Sequence, residues 1–165
     1  MTNEKQFPIS SSRWLKDWIN NVAKKNNIDS NTILQKYMME RFLERITLSK
    51  YRDNFILKGG FLIGAMIGID MRSTMDMDTT IRGIPISRGD IEVIINEIDN
   101  ISVGDNVTFT LKSIKPIHEE GGYEDFRVGI LAEFFTIKVN LKLDITTGDT
   151  IIPKEIEYSF KKLVK

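Results

Sequence analysis

Ile137-Lys138-Val139-Asn140-Leu141-Lys142-Leu143-Asp144-Ile145 alternates apolar and polar residues without a break. Successive side chains of an extended chain point to opposite faces. Ile137, Val139, Leu141, Leu143 and Ile145 therefore line one face, while Lys138, Asn140, Lys142 and Asp144 line the other. This is the pattern of a half-buried β-strand over 137–146, and its neighbours continue it. Residues 107–117 and 126–135 are β-rich, with Glu119-Glu120-Gly121-Gly122 and Thr146-Thr147-Gly148-Asp149 as turns. Residues 151–160 read as a last strand, placed at an edge because Pro153 has no amide hydrogen for a ladder.

Upstream, Met75-Asp76-Met77-Asp78-Thr79-Thr80-Ile81 also alternates with period two. Before it, residues 55–58 read as a short strand or turn entry. Gly59-Gly60 is a breaker, and 61–67 is a short apolar helix closed by Gly68. Further towards the N-terminus the period changes to that of a helix. Ser10-Ser11-Ser12 offers a cap, and Trp14, Leu15, Trp18, Ile19 and Val22 follow at helical spacing until Asn26-Asn27. Asp29 or Ser30 caps a second helix. Its apolar stripe is Ile33, Leu34, Tyr37, Met38, Phe42, Leu43 and Ile46, with Lys36, Glu40, Arg41, Glu44 and Arg45 on the other side as a solvated face. Ser87 can cap a third helix, buried through Ile91, Ile94, Ile95 and Ile98. Helices first and strands afterwards make the chain α+β, with N-terminal helices packed on a mixed, mostly antiparallel sheet. One compact domain is expected, its helical segment at 1–52 and its core at 53–165.

Composition narrows the chemistry. The 165 residues contain no cysteine and one histidine, which excludes a disulfide framework, a thiolate zinc site, a cysteine nucleophile and a His-rich metal site. Lys plus Arg balance Asp plus Glu at 23 each, so a uniformly basic surface for duplex nucleic acid is not expected. The balance is uneven along the chain: residues 1–52 carry ten basic against five acidic side chains, and the remainder thirteen against eighteen. Solvated helix faces account for such a split as readily as a nucleic-acid edge. Met1 to Pro8 lacks the apolar stretch of a signal peptide, and no apolar run approaches the ~20 residues of a membrane span, so a cytoplasmic protein without membrane partners is expected.

Arg72-Ser73-Thr74-Met75-Asp76-Met77-Asp78 is the richest stretch for chemistry. Residues two apart on a strand share a face, so Asp76 and Asp78 project together, ~6.5 to 7 Å apart at Cα, and two hard oxygen donors on a rigid strand suit Mg²⁺. An isolated Asp-x-Asp equally decorates a solvent-facing strand. Asp144 on the polar face of 137–145 alters that balance. If the two strands are neighbours, three carboxylates converge, the ligand set for two metal ions ~3.5 to 4 Å apart that promote in-line displacement at phosphorus. Lys58-Gly59-Gly60 before the short helix supplies a third element. Its glycines let backbone amides approach a phosphate, the helix start adds partial positive charge, and Lys58 offers a point charge, although Gly-Gly also serves ordinary turns. Lys138 and Lys142 share the face of Asp144 and either bind triphosphate or balance the acidic cluster. His118 reads as a loop residue.

The order Gly59-Gly60, fifteen residues, Asp76-x-Asp78 and a later strand Asp144 resembles the minimal nucleotidyltransferases of the DNA polymerase beta superfamily. Within it, Leu57-Lys58-Gly59-Gly60, Arg72-x-Thr74-x-Asp76-x-Asp78 and Leu143-Asp144-Ile145 look most like the AbiEii/AbiGii-type abortive-infection toxins, over roughly residues 30 to 160. The resemblance implies transfer of a nucleotide from an NTP to an acceptor, tRNA 3′ ends being the class known in related toxins. It also implies a role in phage defence and neutralisation by a cognate antitoxin. Asp76 and Asp78 would ligate the metals, and Asp144 would complete the site and help activate the acceptor hydroxyl. Gly59, Gly60 and Thr74 would hold phosphates, with Arg72 as a further phosphate contact or the partner of an acidic neighbour. Phe61 stands where the family usually has a small hydroxyl residue. Family members also continue into a C-terminal helical part with further Lys and Asp motifs, which the residues up to Lys165 lack. The competing expectation is a nucleotide-binding or protein-interaction module of the same fold without turnover.

Overall fold

The computed structural model describes residues 11–58, 77–84, 86–118 and 124–146. Helix α1 (Ser12–Asn26) starts where the Ser11 hydroxyl accepts the Trp14 amide at 3.2 Å, satisfying a donor that the first turn leaves open. Asn27 ends it in the left-handed conformation at φ 54, which lets the Asn27 and Ile28 amides fold back onto the Lys24 and Ala23 carbonyls. Leu15, Ile19 and Ala23, four residues apart, form its buried stripe. In α2 (Ser30–Leu48) the cap is Asp29 and not Ser30: one carboxylate oxygen accepts the Asn31 and Thr32 amides at 3.1 and 3.3 Å.

The reading of α2 as one apolar and one solvated face is corrected by the structure. Ile33, Tyr37, Met38, Phe42 and Ile46 are buried, but so are Lys36, Glu40, Arg41 and Arg45. The physical reason is position. The helix packs against α1, against β5 (Ile137–Thr146) and against α3 (Arg88–Asp99), so its polar side is covered as well. Those charges are held in pairs. Lys36 lies 3.9 Å from Glu40, Arg41 donates to Glu44 at 2.6 Å, and Arg45 meets Asp105 at 2.8 Å. Of the basic residues of 1–52, Lys36, Arg41 and Arg45 are thus held inside the molecule, while Arg13, Lys16, Lys24, Lys25, Lys50 and Arg52 stay exposed.

Helix α3 opens with a reciprocal cap. The Ser87 hydroxyl accepts the Asp90 amide at 3.2 Å, and the Asp90 carboxylate accepts the Ser87 amide at 2.8 Å. Ile91, Ile94, Ile95 and Ile98 then face the core; burying each contributes about 2 kcal/mol before the entropy of ordering is subtracted.

Among the described residues, five strands form one sheet in the order β1-β2-β5-β4-β3: β1 (Phe55–Lys58), β2 (Met77–Ile81), β3 (Val107–His118), β4 (Glu124–Phe134) and β5. Of the four pairings among them, β2 with β5 is parallel and the other three are antiparallel. The sheet is mixed and mostly antiparallel, as the sequence predicts. His118 is the last residue of β3, opposite Glu124, and not a loop residue. Gly129 on β4 faces Ser113 beside an irregularity in β3; a Cβ there would sit 2.5 Å from the Ser113 hydroxyl, which would have to rotate away.

Alternation fixes which face the helices cover. Ile137, Val139, Leu141, Leu143 and Ile145 are buried, whereas Lys138, Asn140 and Lys142 are exposed. Met77 stands beside Leu143 in the parallel pair, and both lie in the core. One step along each strand, Asp78 and Asp144 therefore leave the core on the opposite face. Among the described residues no helix is long and apolar enough to cross a membrane.

Candidate active site

Pairing across the sheet sets five charged residues at one level. Lys58 is opposite Asp78, Asp78 is beside Asp144, Asp144 is opposite Arg127, and Arg127 is opposite Lys115. Residues directly across from one another project from the same face, so the row runs over all five strands as cation, two anions and two cations. The Asp78 and Asp144 backbones are separated by one strand spacing, ~4.8 Å. At such spacing two carboxylates repel by about 1–3 kcal/mol between the aqueous and part-buried limits. The cations on both sides offset that repulsion.

Each flanking cation is anchored differently. Lys58 donates from Nζ to the Thr146 hydroxyl at 2.9 Å, and that hydroxyl also lies 3.0 Å from the Thr80 hydroxyl. Arg127 instead grips Asp144 with two parallel bonds, Nε to Oδ1 at 2.8 Å and Nη2 to Oδ2 at 3.0 Å. Below this level Thr79 turns to the core side and donates to the Asp144 carbonyl at 3.3 Å, tying the two strands together.

The row opens into a cleft of about 360 Å³ lined by Lys58, Asp78, Arg127 and Asp144 together with Asp125, Thr146 and Ile117. That is the low end of small-molecule sites, with room for a triphosphate group and its counter-ions. Asp125 is buried at 3% exposure and brings a further carboxylate to the wall.

Of the residues expected from sequence, Lys58, Asp78 and Asp144 are brought together. Lys142 lies on the same face of β5 one pair further along, beside Gly129, exposed and outside the cleft lining. Asp76, Gly59, Gly60, Arg72 and Thr74 lie outside the described residues, as do the expected helix at 61–67 and strand at 151–160. Sequence reasoning missed Arg127, Asp125 and Thr146. A signal existed: Asp125-Phe126-Arg127-Val128 alternates like the strand around Asp144, but only the register of β4 on β5 brings Arg127 opposite Asp144.

The donor chemistry fits a divalent cation. Asp78 and Asp144 present hard carboxylate oxygens from neighbouring strands on one face, the ligand type that Mg²⁺ takes. Among the described residues no group of three or more carboxylates, histidines or cysteines is gathered to hold an ion. The third expected donor, Asp76, is outside them.

A family model described as nucleotidyl transferase AbiEii toxin, type IV toxin–antitoxin system, matches residues 41–165. No curated protein matches the chain. Among solved structures it is similar to JHP933 from Helicobacter pylori, at 16% identity and a TM-score of 0.43. That match covers 77% of this chain and 47% of the other, so the chain spans about half the length of this solved relative.

Proposed function

We propose, for a chain that belongs to the AbiEii family of nucleotidyltransferase toxins of type IV toxin–antitoxin systems, that the cleft binds a nucleoside triphosphate and transfers its nucleotidyl group to an acceptor hydroxyl. The observation that carries this reading is the register that sets Asp78 beside Asp144 with Lys58 and Arg127 on either side. Asp76, Asp78 and Asp144 would hold Mg²⁺, two ions in the two-metal form of this chemistry. Bound there, the metal would neutralise charge developing on the phosphate oxygens and make the acceptor hydroxyl more acidic.

The remaining roles belong to the chain's own side chains. Lys58, fixed by Thr146, presents a point charge to the triphosphate at the edge of the cleft. Gly59, Gly60, Arg72 and Thr74 are proposed phosphate contacts on the segment between β1 and β2, and exposed Lys142 extends the cationic surface. The acceptor oxygen forms a bond to the α-phosphorus as the bond to the β-phosphate oxygen breaks. Pyrophosphate leaves, and the hydroxyl proton passes to Asp144 or to solvent. The acceptor is proposed to be RNA such as a tRNA 3′ end, the protein to act in the cytoplasm, and a cognate antitoxin to restrain it. Family membership supports the last of these, the antitoxin.

Calorimetric titration of each NTP with and without Mg²⁺, followed by transfer of labelled nucleotide to RNA, tests the reading. Binding is expected only with the metal, and Asp78→Asn or Asp144→Asn should lower transfer at least ~10³-fold, the effect of losing about 4 kcal/mol of transition-state stabilisation. Transfer retained in both variants would sink it.

A further inference from the structure

Arg127 stands where the proposed chemistry needs Asp144 open. Its two bonds engage both oxygens of that carboxylate, and a guanidinium and a divalent cation compete for the same lone pairs. Resting on the nucleotidyltransferase reading, we infer that Arg127 is an internal counter-ion. It occupies Asp144 in the free protein and passes to the triphosphate when cation and nucleotide bind together.

Three features carry the inference. The Arg127 side chain is 46% exposed against 18% for Asp144, so its head can swing without opening the core. It lines the same cleft as Lys58, Asp78 and Thr146, so a triphosphate bound there is within that swing. Its planar fork matches the paired oxygens of a phosphate as it matches those of a carboxylate, and the exchange preserves two charge-assisted bonds. Lys58 also donates to a neighbour, the Thr146 hydroxyl, but as a point charge without that fork.

The consequence is cooperative binding. A cation arriving alone must break the Arg127–Asp144 pair and leave a guanidinium beside a second positive charge. A cation arriving with a triphosphate gives every charge a partner. Metal and nucleotide therefore strengthen one another, and Arg127 is the source of part of that coupling.

The test measures Mn²⁺ binding to the full chain by electron paramagnetic resonance, alone and with an α,β-methylene nucleoside triphosphate. Arg127→Gln should tighten binding of Mn²⁺ alone about fivefold, the strength of a partly exposed ion pair, and weaken the triphosphate about tenfold at saturating metal. Arg127→Lys, with the charge but not the fork, should move both constants in the same senses by less, and stands in if the Gln variant does not fold. A purely structural role would loosen both ligands together. Folded variants that bind Mn²⁺ no tighter than the parent overturn the inference. If the parent and Asp144→Asn bind Mn²⁺ equally, the nucleotidyltransferase reading itself fails, and the inference falls with it.

Discussion

Two bidentate arginine–aspartate pairs in this protein, one end-on through both Nη atoms and one side-on through Nε and Nη2, differ most in what surrounds them. Arg45 and Asp105 meet at 2.8 and 2.9 Å, with both side chains 2% exposed. Arg127 and Asp144 meet at 2.8 and 3.0 Å, with side chains 46% and 18% exposed. The Arg45 guanidinium also donates to the carbonyls of Ile101, Arg41 and Val107 and lies over the Phe109 ring at 4.7 Å. Every direction of its fork is engaged, and it joins α2 to the segment entering β3. Arg127 grips one carboxylate with Nε and Nη2 in the lining of a cleft. The same pair is a fixed joint in one setting and an exchangeable contact in the other, and enclosure decides which.

Breaking the buried joint should have the largest effect on stability. Arg45→Met leaves the Asp105 charge without its partner and removes the side-chain donors aimed at the Ile101, Arg41 and Val107 carbonyls. The expected loss is about 3–5 kcal/mol in chemical denaturation, a large share of a typical domain's total. A loss below 1 kcal/mol would mean that the enclosure is not what distinguishes the two pairs.

The same contrast separates what could be read from sequence from what could not. Period-two alternation around Asp144 and the Ser87 cap with its isoleucine stripe are local signals, complete within about ten residues, and the structure follows them. The adjacency of Asp78 and Asp144 depends on a parallel pairing across 65 intervening residues, for which only the company of motifs argued. Arg45 and Arg127 were not legible. On α2 the spacing of Arg45 is that of an ordinary solvated face, and its meaning comes from Asp105, sixty positions later. Arg127 sits on a strand whose pattern marks it as outward-facing, and only the hairpin register names Asp144 as its partner.

A third carboxylate sharpens the comparison by standing near Arg45 without being gripped by it. Neither oxygen of Asp99 makes a sound hydrogen bond among the described residues. Burial pushes its carboxyl from 3.8 up to about 6, against the lowering influence of the Leu111 amide and the Arg45 guanidinium. A folded-state value above the unfolded one means that the native protein binds this proton more tightly. The associated stability is full below pH 3.8 and is lost as pH rises through about 6. Asp99→Asn should therefore stabilise the protein at pH 7.5. Full burial would make this shift worth about 3 kcal/mol, and partial solvent screening reduces the expected gain to about 1–2 kcal/mol, or several degrees in Tm. Near pH 4 the difference between variant and parent should shrink towards zero. A constant difference across that range would assign the gain to packing and not to charge.

The smallest stability effect belongs to the exchangeable pair. Arg127→Gln removes two charge-assisted bonds, yet the arginine head is nearly half in water and regains hydration when the pair opens. The expected change is within about 1 kcal/mol, and 1 M salt should erase most of it because screening reaches an exposed pair. The loss caused by Arg45→Met should persist in the same salt, since the solvent ions do not enter its site. Salt therefore serves as the discriminating variable where size alone does not. If Arg127→Gln cost as much as Arg45→Met and resisted salt equally, Asp144 would be locked in a structural pair. The cleft could then not release a carboxylate for chemistry without partial unfolding.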